Sequence, residues 1–193
     1  MAELDELVQL FDHPPLRQSS VDDWAEVESY VGSVLPRDFK AFLDAYGSGV
    51  ISGELVIFHP QGGSPLLTRM RRIHESFGQL RRQRPDDSLY PVHPEQGGLV
   101  SWGYDYSGDE HFFLPCDPDP ERWKIVTMVH GAGVEVHDGS FTGFVLAFVN
   151  RLRDLGRYHG LDPDALEFLE PEDLAELAES GEIGPIEPSF EPL

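Results

Sequence analysis

The chain has 193 residues, 40% of them hydrophobic and 11% aromatic, which is enough apolar material for one packed core and far from the disordered class. Its formal net charge is −21, from 35 acidic and 14 basic side chains, so its field repels phosphate backbones and anionic lipid. Direct nucleic-acid binding and docking on a membrane are therefore not expected, whereas a basic partner would be steered in.

The opening stretch, MAELDELVQLFDHPPLRQ, has no basic n-region and no apolar run of signal-peptide length, and no segment approaches the roughly 18 apolar residues of a membrane span. A cytoplasmic protein is expected. The single cysteine, Cys116, forbids an internal disulfide and reads as a buried thiol. Ser20 with Asp23 three residues later resembles a capping box, and Val21, Trp24, Val27 and Val31 recur at helical spacing, predicting a helix with one buried face. Pro36 opens a second helix in which Phe39, Phe42, Leu43 and Tyr46 share one side and Gly47 makes the stop. ELVIF at 54–58 reads as the first strand, ended by His59-Pro60 and the flexible QGGS. Over 66–84, Leu66, Leu67, Met70, Ile73, Phe77 and Leu80 mark a long amphipathic helix with six Arg on its remaining faces.

LVSWGYD, EHFFLPC, WKIVTMV and GVEVHD follow, separated by short turn segments. Such connections are too short for parallel crossovers, so these strands pair antiparallel. Ser140 reads as the N-cap of FTGFVLAFVNRLRDL, an apolar helix expected to lie across the sheet. The expected class is α+β, with a mainly antiparallel sheet of about five to six strands flanked by helices. Residues 161–193 hold eleven acids and no Lys or Arg, while 1–160 hold the other 24 acids and all 14 bases, giving −11 and −10. This divides the chain into a domain over 1–160 and an acidic, helical and Pro/Gly-rich appendage over 161–193. In the appendage, Pro163 and Pro171 start two short helices whose apolar faces use Leu166, Phe168, Leu169, Leu174 and Leu177. Opposite charge favours docking of this tail on the Arg-rich helix.

Motifs that carry chemistry are sparse. None of the eight histidines occurs at H-x3-H or HExxH spacing, and His93, His111, His130 and His137 converge only if the fold brings loops together. Asp105–His111 is rich in oxygen donors but lacks the spacing of a calcium loop. It reads as a hairpin turn about Ser107-Gly108 with carboxylates capping backbone amides. Gly47-Ser48-Gly49 follows a helix instead of opening one, so it is a helix stop and not a dinucleotide fingerprint. Gly139–Gly143 lacks the central serine of a nucleophile elbow. No catalytic, metal-binding or cofactor-binding residue is assigned, and no cofactor is expected. Trp102 and Trp123 read as core. Tyr104, Asp105, Tyr106, Asp109 and Glu110, aromatic and acidic groups at one turn, are the expected partner-binding residues.

Leu35-Pro36 with Phe39, Phe42 and Tyr46-Gly47-Ser48-Gly49 come first, then Trp102-Gly103 and Gly108-Asp109 with Phe112 and Phe113, and lastly Asp138-Gly139-Ser140-Phe141. In that order, across residues 20–155, the chain resembles the SUKH superfamily of fungal cell-wall-assembly regulators and bacterial immunity proteins. The resemblance implies an α+β domain that binds proteins, in bacterial members often a secreted toxin, commonly a nuclease or deaminase. Three functions follow as expectations. The first is an immunity protein that neutralises a basic, nuclease-type toxin by direct binding. The second is a cytoplasmic regulatory or scaffold protein whose acidic tail recruits a host partner. The third is an enzyme assembled from distant Asp, His and Ser residues, which a polar cleft with converging Asp and His side chains would favour. The non-enzymatic readings are the expected ones.

Overall fold

A computed structural model describes residues 21–61, 64–84, 90–131, 133–155, 168–169 and 179–180. The first helix opens as a 3₁₀ turn, Val21–Trp24, and continues as α1, Ala25–Val31, ended by Gly32 in the left-handed region at φ 75°. Ser20, its expected cap, lies outside the described residues. Helix α2, Arg37–Tyr46, starts directly after Pro36, and the Gly47 N–H closes it onto the Leu43 carbonyl at 2.7 Å. Phe39, Phe42, Leu43 and Tyr46 are all buried, as their spacing on one helix face requires.

The strands are β1 (Gly49–Ile51), β2 (Leu55–Ile57), β3 (Val100–Asp105), β4 (Glu110–Leu114), β5 (Lys124–Val129) and β6 (Gly133–His137). They form an antiparallel meander that is extended beyond β1 by the two-residue β7, Phe168–Leu169, giving the order β6-β5-β4-β3-β2-β1-β7. The α+β architecture with an antiparallel sheet flanked by helices is thus as expected. Two elements differ. β1 begins at Gly49, read as part of a helix stop, and precedes the segment at 54–58 that was expected to form the first strand. Phe168 and Leu169, placed on a helical face by their sequence, pair with Ile51 and Val50 instead. The helices expected at Pro163 and Pro171, and the docking of the tail, lie outside the described residues.

Helix α3, Leu66–Gln83, covers one face of the sheet, and α2 and α4, Phe141–Leu155, cover the other. Strand alternation sorts the side chains between them. Phe112, Val126 and Met128 meet Ile73 and Phe77 of α3, whereas Phe113, Ile125 and Trp102 join Phe39, Phe141 and Phe144 in the larger cluster. The β3–β4 register shifts between Ser101 and Gly103, and this bulge brings Trp102 to the α4 side, stacked on the His111 ring at 5.2 Å. Gly103 lets β2 approach there, because a Cβ at this position would lie 2.6 Å from the Val56 carbonyl oxygen. Ser140 caps α4 as expected, its Oγ accepting the Gly143 N–H at 3.1 Å, and Asp38 of α2 accepts the Thr142 N–H at 2.9 Å.

Cys116 is exposed, not buried: β4 ends at Leu114, and the thiol falls in the following Pro-Cys-Asp-Pro loop. Arg69 is also displaced from its expected solvent-facing position. Its side chain is only 7% exposed and pairs with Glu110, while Arg71 lies over the Tyr30 ring and Arg81 pairs with Glu95. Groups outside the tail therefore already engage three of the arginines on this helix. No helix among the described residues is long and apolar enough to cross a membrane.

Candidate functional site

The five expected partner-binding residues are divided by the sheet. Asp105, 4% exposed at the end of β3, accepts the Ser107 N–H at 2.9 Å and the Asp109 N–H at 3.2 Å on its Oδ1, while Gly108 at φ 88° makes the bend. This is the hairpin turn anticipated from SGD. Asp109 accepts the His130 N–H at 2.8 Å and so ties this turn to the one between β5 and β6. Tyr104 and Glu110 face the other way. Both Glu110 oxygens accept from Arg69 Nη2, at 2.6 and 2.8 Å, and the same guanidinium sits 4.3 Å from the Tyr104 ring centre. Burial raises the Glu110 pKa, and the Arg69 charge partly opposes that rise. Tyr106 is half-buried against Tyr104, and burial pushes its hydroxyl up to about 12.

The α4 side gathers a different set. Strand register puts His111 of β4 opposite Thr127 of β5, and Thr127 opposite Glu135 of β6, with His137 two residues further on the same face. The polar atoms form a row. Asp105 Oδ2 lies 3.3 Å from His111 Nε2, and His111 Nδ1 lies 3.1 Å from Thr127 Oγ1. Thr127 Oγ1 is in turn 3.2 Å from His137 Nε2, and Glu135 is 3.8 Å from both His137 and Arg151. The Thr127 hydroxyl can donate to one imidazole and accept from the other. Burial holds His137 below its ordinary pKa against the opposing pull of Glu135.

Above this row is a cleft of about 280 Å³. Phe144, Ala147, Phe148 and Leu152, one face of α4, make its apolar wall, and Asp109, Glu135 and Arg151 stand among its lining groups. Two of the four histidines considered for convergence, His111 and His137, thus meet through strand register. His93 packs with His74 and Tyr30, and His130 lies in the β5–β6 turn. Among the described residues no group of three or more His, Cys, Asp or Glu side chains could hold a metal ion. Thr127 and Glu135 were missed by sequence reasoning, and the available signal was the alternation of polar groups along three consecutive strands.

No protein-family model and no curated protein matches the chain. The chemistry of the cleft must be judged from its own groups. A hydroxyl between two imidazoles, with a carboxylate behind one of them, is the raw material of acyl transfer. Against that use, β5 is paired on both sides, so the N–H groups flanking Thr127 are committed to the sheet ladder and unavailable to an oxyanion. Carboxylates beside an apolar wall instead suit an amphipathic cation.

Proposed function

We propose that this protein is a non-catalytic, SUKH-like protein-binding domain, acting in the cytoplasm as an immunity protein that neutralises a basic, nuclease-type toxin. The observation that carries the reading is the cleft in which Asp105, Asp109 and Glu135 gather beside an apolar wall, in a chain of net charge −21. Such a surface attracts a basic partner at long range and holds it at contact, giving fast association that weakens as salt rises. Against a nuclease, its carboxylates would stand in for nucleic-acid phosphates.

Titration of the full chain with purified basic toxin domains encoded beside its gene tests the proposal, at low and at high salt. One toxin that binds tightly, loses its activity and is released by salt is the expected result. Recovery of a host complex that is lost when residues 161–193 are removed would instead favour the regulatory or scaffold reading. The Asp105–His111–Thr127–His137 row favours an enzyme as a second reading. Ester or amide turnover by the purified chain, abolished by Thr127→Val, would establish it over the binding function.

A further inference from the structure

We infer that the cleft between α4 and strands β4–β6 is a receptor for one cationic side chain, an arginine or lysine presented by the partner. This deepens the protein-binding reading and rests on it. The cleft's volume, about 280 Å³, lies just below the roughly 300–1,000 Å³ of small-molecule pockets, so it matches one long side chain better than a cofactor.

The lining is amphipathic in the sense such a side chain needs. Phe144, Ala147, Phe148 and Leu152 offer an apolar surface to an aliphatic stem, with carboxylates where the charged head would lie. The buried end of the cleft has unfilled hydrogen-bonding capacity. His111, 1% exposed, makes no hydrogen bond through Nε2, although Asp105 Oδ2 lies 3.3 Å away. Both N–H groups donated to Asp105 go to Oδ1, which leaves Oδ2 as an acceptor inside the cleft. A cationic donor there forms a charge-assisted hydrogen bond, the stronger kind. The chain also carries its own example of the pairing, since the exposed Arg151 guanidinium approaches Glu135 at 3.8 Å. Three carboxylates and that one guanidinium line the cleft, so a second cation is electrostatically welcome.

The test is a titration of the full chain with acetyl-arginine amide and with the neutral acetyl-citrulline amide, followed by NMR. The arginine probe should shift the signals of His111, Thr127, Glu135, His137 and Phe148 saturably, with a dissociation constant on the order of 1–10 mM, as one side chain allows. The citrulline probe should not. Glu135→Gln changes a residue that is 48% exposed and should weaken the arginine probe at least about threefold, while Ala147→Trp fills the cleft and should abolish binding. Equal response to both probes, no saturation, or shifts away from the cleft would overturn the inference. A toxin that binds wild-type and Ala147→Trp protein alike would also overturn it while leaving the protein-binding reading intact. Arginine binding in the cleft without any basic protein partner would support the receptor and defeat the immunity reading.

Discussion

Burial sets the protonation of His74, which is 3% exposed beneath α1 and beside β3. Its Nε2 accepts the Ser101 N–H at 2.9 Å and its Nδ1 lies 2.9 Å from the Tyr30 hydroxyl. Desolvation, aided by His93, lowers its pKa from 6.5 to about 3. Between those values the unfolded chain binds a proton that the folded chain refuses. The stability contributed by neutral His74 is therefore complete above pH 6.5 and is lost as pH falls towards 3, by up to about 1.4 kcal/mol per unit. His74→Gln, which can still accept from Ser101, should flatten the decline in urea midpoint between pH 7 and 4, and equal slopes would refute this account. Arg69 and Glu110 give the opposite dependence. Burial raises the Glu110 pKa, so its charged form weighs against folding once pH exceeds the unfolded value. Arg69→Leu removes the compensating cation and should cost about 3 kcal/mol at pH 7. The deficit should shrink as pH falls and the carboxyl takes up a proton, and one that persisted undiminished would place the loss elsewhere. Helical periodicity cannot reveal this pair, because Arg69 occupies a polar position in its helix and finds its partner 41 residues away.

At the scale of elements, glycine has opposite meanings in a strand and in a helix. At Gly103 a methyl group would press on the Val56 carbonyl of β2, and Gly103→Ala should destabilise by about 2 kcal/mol. At Gly78 in α3 a Cβ meets its nearest atom at an ordinary 3.5 Å, so Gly78→Ala should stabilise by about 0.5–1 kcal/mol. Thermal unfolding of both variants measures the contrast, and two shifts of the same sign would contradict it. The helices were legible because their apolar repeats run for many residues and carry their own boundary signals, a stop at Gly47 and an N-cap at Ser140. β1 was not, since Gly49–Ile51 is too short to show a period and becomes a strand through its neighbours β2 and β7.

At the scale of the molecule, β7 links the acidic segment after residue 160 to the outer edge of β1. Ending the chain at Glu167 removes that strand and should speed amide exchange in β1 relative to β4 and β5, which are paired on both sides. Unchanged exchange would mean that β7 contributes nothing to the edge. The four later strands and their antiparallel sense could be read directly, because alternation and connection length are properties of contiguous residues. Composition likewise determined the acidic character and the demand for one large core. The cleft was decided only by tertiary structure. Asp105, His111, Thr127 and His137 face one another because three antiparallel pairings hold β3 to β6 in one register and because α4 folds back over that face. A slip of one residue in any pairing would turn a strand's alternate side chains to the opposite face, and no local pattern reports which register the turns enforce.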